Sequence, residues 1–230
     1  MTHTTESPFH RGEQAIQARV GARDKVEEIG RRFIRRHLPE EHRAFYGQLP
    51  FMLLGSVDEA GRPWASILAG PPGFVRSPDE HTLEIGAAPR PGDPAADHVT
   101  DGAAVGLLGI EFASRRRNRV NGRVTRRDDG GLRIAVDQTF GNCPMYIQAR
   151  EFEAVTTAGQ PAPREPIDGL DEAAREFVGR ADSFFIATHF AEGDGRATEG
   201  ADVSHRGGRP GFVRVEEDGS LLWPDFTGNT

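Results

Sequence analysis

Two polar segments in the last thirty residues have the residue types that hold a phosphorylated ligand. The first is Ser204-His205-Arg206, which a pair of glycines follows. Arginine can bind a phosphate through two parallel hydrogen bonds, and histidine exchanges protons near neutral pH. The second is Phe226-Thr227-Gly228-Asn229, where backbone N–H groups of a glycine turn and two polar side chains can form an anion-binding concavity. A solvated edge strand and an ordinary polar turn are the alternative interpretations.

An arginine-rich segment lies in the middle of an otherwise acidic chain. Five arginines fall between Arg115 and Arg123, including Arg117 beside Asn118, whereas the whole chain has a formal net charge of −7. Such a segment suits a phosphate-bearing ligand, the acidic surface of a partner, or RNA. RNA would require interleaved aromatic residues for base stacking, and the segment has none. A solvated hairpin with its arginines paired to acids is the alternative.

A tight turn, Gly141-Asn142-Cys143-Pro144, precedes Tyr146 and Gln148. In an extended chain these two side chains share one face, because side chains alternate along a strand. They could contact a ligand together, or the turn could be structural. Cys143 is the only cysteine, which excludes an intrachain disulfide and is typical of a reducing cytoplasm.

Composition and motifs exclude several classes of function. The eight histidines show no His-x-x-x-His pair and there is no Cys-x-x-Cys pair, so we predict no metal site. There is no phosphate-binding P-loop, no nucleophile elbow and no dinucleotide fingerprint. The acidic charge disfavours nucleic acid, and no apolar run approaches the ~20 residues that span a membrane. The N-terminus lacks an apolar signal region, so we expect a cytoplasmic protein. With nucleic acid and membrane disfavoured, the expected partner is a small-molecule substrate.

An internal repeat is the strongest indication of domain organisation. Residues 40–56 are repeated at residues 172–188, at a constant offset of 132. A Gly-x-Pro-Gly-Phe-Val-Arg segment also occurs twice, ending at Arg76 and at Arg214. A repeat this long indicates a duplicated domain, which can do in one chain what a two-fold homodimer does with two. Because the chain ends at Thr230, we expect the second copy to be incomplete at its C-terminus.

The coarse element pattern is that of a mainly β protein. High glycine and proline counts, 28 and 16, suit many short strands joined by tight turns. Residues 1–39 should form a loose arm followed by one or two helices. Residues 40–158 should form a helix and a meander of about six strands closing into a small barrel. A Pro-rich linker, residues 159–170, then leads to the second half, residues 171–230.

Four segments together resemble the pyridoxamine 5′-phosphate oxidase-like, FMN-binding split-barrel proteins. They are the pattern from Gly61 to Ser66 before Gly-Pro-Pro-Gly-Phe, the segment at 117–123, the turn at 141–144 before Tyr146, and the run at 201–211. The resemblance extends over nearly the whole chain and is closest to the long bacterial branch with two barrel halves. It implies a mainly β-barrel fold with flanking helices, a duplicated FMN-binding split barrel whose second copy is incomplete.

The resemblance also implies where a flavin would lie. In that family FMN occupies a cleft between two barrels, and its phosphate is held by a strand and a loop. The positions implied for the second half are Ser204, His205, Arg206, Phe226, Thr227, Gly228 and Asn229. The positions implied for the facing half are Arg117, Asn118, Asn142, Tyr146 and Gln148.

The expected function is that of an FMN-dependent oxidoreductase passing electrons between a reduced donor and a small acceptor or oxygen. The residues that the oxidase uses for its own substrate are not recognisable, so the resemblance assigns no catalytic residue. A non-catalytic flavin-binding module, a haem-binding split barrel with His205 or His189 as axial ligand, and an incomplete fold that binds nothing are the alternatives. A homodimer is expected if the unfinished second barrel leaves open strand edges.

Overall fold

A seven-stranded antiparallel sheet dominates the computed structural model, which describes residues 6–128, 130–153 and 167–226. Its strands are β1 (Phe51–Val57), β2 (Pro63–Ala69), β3 (Val75–Asp79), β4 (Thr82–Ile85), β5 (Ala104–Glu111), β6 (Arg116–Asp128) and β7 (Gly131–Asn142). Their order across the sheet is β2-β1-β5-β6-β7-β4-β3. The prediction of a mainly β unit in this part of the chain is confirmed, with one strand more than expected.

Both faces of the sheet centre are apolar and covered. The inner face packs around a core that includes Leu54, Leu107 and Phe45, which are 0%, 0% and 1% exposed. The outer face forms a second, smaller cluster that includes Leu53 and Leu108. A strand with apolar residues on both faces must be buried on both sides. A second structural layer therefore lies over β1 and β5.

That second layer is a hairpin from the second half of the chain. Its strands are β8 (Ser183–Phe190) and β9 (Gly200–Gly207), which pair only with each other among the described residues. They cross the outer face of the large sheet where two glycines permit close approach. A Cβ on Gly55 would lie 2.7 Å from the carbonyl oxygen of Asp202, and one on Gly106 would collide with that of Ala201. The two-residue strands β10 (Arg214–Val215) and β11 (Leu221–Leu222) follow.

Five helices flank these sheets in the described chain: α1 (Arg11–Arg19), α2 (Arg23–Phe33), α3 (Glu40–Gln48), α4 (Ala95–His98) and α5 (Glu172–Arg180). The ambiguous N-terminal pattern forms two helices, because Gly21 adopts a left-handed φ of 70° between them. The expectation of a loose arm is wrong for its described part. Ser7 donates a hydrogen bond to Glu27, and the Gln138 side chain donates one to the Pro8 carbonyl.

The two repeated segments share local geometry. Both run from a helix into a hairpin, as α3-β1-β2 and as α5-β8-β9. In both, the glycine after the hairpin lies under a phenylalanine ring, since a Cβ on Gly70 would meet Phe74 at 2.7 Å and one on Gly208 would meet Phe212 at 2.5 Å. Duplication itself and the domain boundaries stay predictions, and most of the predicted linker lies outside the described residues. No helix in the described ranges is long and apolar enough to cross a membrane.

Candidate functional site

The outer face of β6 carries polar side chains where β9 passes over the sheet. Val120 and Val124 of β6 belong to the inner core. Because strand side chains alternate, Arg117, Arg119 and Asn121 project from the opposite face. The register places Arg119 opposite Leu108, on the strand that β9 covers. These three side chains are therefore at the contact between the two halves of the chain.

Arg119 is the central residue of this contact. Its Nη1 donates to Oδ2 of Asp202 at 3.1 Å and its Nη2 donates to the Ser204 hydroxyl at 2.5 Å. Asn121 donates from Nδ2 to Oδ1 of Asp202 at 2.7 Å, and the Arg119 guanidinium lies 5.3 Å from the centre of the Phe140 ring. The Nε of Arg119 and the Oδ1 of Asn121 are buried with no partner among the described residues. Such unpaired buried polar atoms are costly and fit a polar ligand.

Arg206 shares a face of β9 with Ser204 and is half-buried. Its guanidinium donates one hydrogen bond, from Nη1 to the carbonyl of His205 at 3.3 Å, and has no carboxylate within 4 Å in the described chain. Burial lowers the pKa of Arg206, Asp225 opposes that shift, and the positive charge of Arg119 adds to it. Arg119 is paired with Asp202, so the donors left for an anion are the guanidinium N–H groups of Arg206 that make no hydrogen bond to a described residue. We call Arg119, Asn121, Asp202, Ser204 and Arg206 the β6–β9 cluster.

His205 lies on the opposite face of β9 and is 1% exposed. Its ring packs near Phe112 and Phe185, with centroids 6.3 and 5.5 Å away. Arg117 Nη1 lies 3.2 Å from Nδ1, and an arginine can only donate, so Nδ1 accepts and the proton of the neutral ring sits on Nε2. Burial, then the charges of Arg117 and Arg206, lower the pKa of His205 to about 4. The predicted triplet is thus divided between two faces of β9, and its histidine is neutral at pH 7.

The position of His205 bears on the haem alternative. An axial ligand needs open space beside its ring nitrogen. The ring of His205 is enclosed between the sheet and the hairpin, so it could bind haem iron only if β9 left the sheet. His189, the other candidate, lies on an exposed part of β8.

Arg117 and Asn118 point in different directions. Arg117 donates from Nε to the carbonyl of Cys143 at 2.7 Å and joins β6, the following turn and β9. Burial lowers its pKa to about 10, and the nearby charges of Arg119 and Arg206 act in the same direction. Asn118 is 3% exposed on the other face of β6, and its Nδ2 has no partner in the described ranges. Of the two, only Arg117 reaches the second half.

The predicted turn brings two aromatic rings together. Tyr146, in a left-handed conformation with φ of 65°, stacks on Phe226 with ring centroids 4.9 Å apart and planes inclined by 25°. Gln148 donates from Nε2 to the carbonyl of Gly208 at 2.9 Å. The Oδ1 of Asn142 is buried without a described partner. The remaining predicted positions, Thr227, Gly228 and Asn229, lie outside the described residues.

Helix α1 also reaches the β6–β9 cluster. Burial raises the pKa of Glu13, the backbone and charge of His10 oppose the shift, and the charges of Asp202 and Arg119 also act on the carboxylate. Glu13 closes a capping box with His10, whose ring stacks on Phe190 at 3.8 Å. The N-terminal helix is thereby attached to the hairpin beside the cluster.

Four residues of this contact are not among the individual site residues predicted from the sequence. They are Arg119 and Asn121, which lie in the arginine-rich segment, Asp202, which begins the polar run before Ser204, and Glu13. The period of two along a strand gives a usable signal for the first two, because it places them on the same face as Arg117. No local signal points to Glu13, which comes to the cluster only through tertiary packing.

Comparison with known proteins identifies the family to which the first half of the chain is similar. The family model described as pyridoxamine 5′-phosphate oxidase matches residues 38–159. A search of curated proteins finds no match. Among solved structures, a crystal structure of a HupZ variant from Group A Streptococcus is 15% identical, with a TM-score of 0.35, and the alignment covers 45% of this chain and 98% of that chain. The matched family segment contains the whole seven-stranded sheet and more than half of the sequence. The chain therefore belongs to the pyridoxamine 5′-phosphate oxidase family and has its split-barrel fold.

Proposed function

We propose that this protein is a flavoprotein that binds FMN non-covalently at the β6–β9 cluster. The observation that carries the proposal is Arg206, a half-buried guanidinium on the same face of β9 as Ser204, which makes one hydrogen bond and has no carboxylate within 4 Å in the described chain, although the charge of Asp225 acts on it from further away. A phosphate monoester carries about two negative charges and three acceptor oxygens, so it fits this donor set. Membership of the split-barrel family supports flavin as the bearer of that phosphate.

The proposal divides the sequence-predicted residues by role. Arg206 and Ser204 would bind the phosphate, and residues 227–229, which lie outside the described chain, stay sequence-predicted contributors. The Tyr146–Phe226 stack offers an aromatic surface that directly precedes these residues in the sequence. Arg117 and His205 have a positioning role, because their buried contact holds β9 on the sheet.

When bound, FMN supplies hydride and single-electron chemistry, which no side chain of this protein provides. We propose that the protein is an oxidoreductase that takes electrons from a reduced donor and delivers them to a small organic acceptor or to oxygen. A neutral His205 that is buried away from the cluster does not exchange protons with a ligand there.

The test is the visible absorption spectrum of the protein after incubation with FMN and removal of free flavin. We expect a retained flavin spectrum. Addition of NADH or NADPH under anaerobic conditions then distinguishes an oxidoreductase from a non-catalytic flavin-binding module. Bleaching supports an oxidoreductase, whereas a retained but unreduced flavin supports a non-catalytic binding module. A protein that retains no flavin absorption after incubation with FMN well above micromolar concentrations would contradict the proposal.

A further inference from the structure

We propose that residues 6–14 form a latch that controls the opening of the β8–β9 hairpin from the large sheet, and with it ligand exchange at the β6–β9 cluster. These residues precede the segment that matches the family model, which begins at residue 38. They contact the first half of the chain on one side and the far end of the hairpin on the other. The statement about ligand exchange rests on the proposed function, whereas the statement about the hairpin does not.

The latch is firmly attached to the first half. The ring of Phe9 packs on the buried Gly30 of α2, where a Cβ would lie 2.4 Å from that ring. On the sheet side, Gln138 of β7 donates from Nε2 to the carbonyl of Pro8 at 3.1 Å. An aromatic ring packed against backbone and a hydrogen bond from a central strand therefore hold this side of the latch.

A ring stack is the main contact between the latch and the hairpin. The His10 imidazole lies 3.8 Å from the ring of Phe190, the last residue of β8, and the two planes are inclined by 7°. The imidazole is also fixed within the latch, because its Nδ1 accepts hydrogen bonds from the backbone N–H groups of Gly12 and Glu13 at 3.0 and 3.3 Å. The start of α1 thus sets the position of the ring on which the hairpin end packs.

The remaining printed contacts of the latch with the hairpin are exposed ion pairs. Arg11 pairs with Glu192, and Arg196 pairs with Glu6 at 3.6 Å. Both arginine side chains are more than half exposed, so these pairs contribute little to stability. A cavity of about 180 Å³ lies between the start of the latch and residues 196–198 of the loop. Packed protein interiors have few such voids, so the latch and the loop do not share a core.

This difference between the two sides determines how the chain opens locally. Because the hairpin side has the weaker contacts, the latch stays with the first half when the hairpin end lifts. Strand β9 follows this loop and brings Asp202 to the cluster, where the carboxylate of Glu13 interacts electrostatically with Asp202 and Arg119. Lifting of the hairpin end therefore opens the β6–β9 cluster to solvent, and the stacked latch keeps it closed.

The test compares two variants that remove the stack from opposite sides. His10→Asn keeps a side chain that caps a helix N-terminus but has no ring, and Phe190→Ala removes the ring of the hairpin. Without any ligand, amide hydrogen exchange of residues 183–207 should become about 2- to 10-fold faster in both variants and stay unchanged in β5–β7. Arg19→Ala is the control and should behave like wild type, because Arg19 is exposed in the last turn of α1, outside the latch.

The kinetics of FMN binding test the effect on the cluster. If the latch controls access, the association and dissociation rate constants should both rise in His10→Asn and Phe190→Ala, because the ligand enters and leaves through the same opening. Faster dissociation with unchanged association would overturn the inference. Unchanged exchange of the hairpin in both variants, or an equal rise in the hairpin and in β5–β7, would overturn it as well. Absence of FMN binding by wild type would contradict the proposed function alone, and hydrogen exchange would still decide whether the latch holds the hairpin.

Discussion

Arg117 donates a hydrogen bond to the ring of His205 at 3.2 Å, across the buried contact between the first sheet and the second hairpin. Protonation of this histidine would place two cations side by side in a buried contact, where the charge of Asp182 only partly favours the protonated ring. Burial and the charges of Arg117 and Arg206 therefore favour the neutral imidazole. This makes the contact between the two halves of the chain sensitive to acid.

The first prediction is an acid-dependent loss of stability that His205 causes. The pKa of His205 is about 4 in the folded chain and ~6.5 in the unfolded chain. Between these values the unfolded state binds one more proton, so the free energy of unfolding falls as pH falls, by up to about 1.4 kcal/mol per pH unit. Urea unfolding of wild type and His205→Gln at pH 7.5, 6 and 5 measures the difference. Equal pH slopes for the two proteins would contradict the assignment.

The second prediction concerns the close approach of β9 to β5. Gly106→Ala adds a methyl group where the carbonyl oxygen of Ala201 lies, so β9 must move away from the sheet. Overpacking of this kind costs typically 1–3 kcal/mol. Gly179→Ala is the matched control, because Gly179 is in α5 and a Cβ there meets nothing within 4 Å. Urea unfolding should show destabilisation by the first substitution alone, and limited proteolysis should then cut the hairpin faster.

The third prediction tests Arg119 as the residue that connects β6 to β9. Arg119→Gln removes the bonds to Asp202 and Ser204 and should lower the free energy of unfolding by roughly 1.5–3 kcal/mol. Arg126→Gln, on the exposed end of the same strand, should change it by less than about 0.5 kcal/mol. Chemical unfolding at pH 7.5 measures both. If the two variants are equally stable, Arg119 does not hold the hairpin in place.

Much of the fold follows from local sequence patterns. Apolar and polar residues alternate along β6 and β7, which predicts both strands. The apolar run of β5 predicts that strand, and the glycine turn between β1 and β2 predicts their hairpin. The prediction of a loose N-terminal arm failed for a physical reason. The residues around Ser7 do not indicate its hydrogen bond to Glu27, twenty residues later, because that contact depends on how the helices pack.

The candidate site was predictable only in part. Ser204 and Arg206 follow from the polarity of one strand. His205 lies between these two residues in the sequence but projects from the opposite face of β9. The alternation of side chains along a strand predicts that orientation. Arg119 and Asp202 are 83 residues apart, and they meet because Gly55 and Gly106 let β9 lie on the sheet. That crossing is a tertiary feature which no local pattern encodes.

The central claim is that Arg206 binds the phosphate of FMN. The most direct test is a titration that follows quenching of flavin fluorescence, with FMN and with riboflavin, which lacks the phosphate. Arg206→Ala should weaken FMN binding about 10- to 150-fold, equivalent to the roughly 1.5–3 kcal/mol of a charged hydrogen bond, and should hardly change riboflavin binding. Arg209→Ala is the control, because Arg209 is exposed in the next turn. Equal FMN affinity of wild type and Arg206→Ala, or an equal loss for both flavins, would contradict the account.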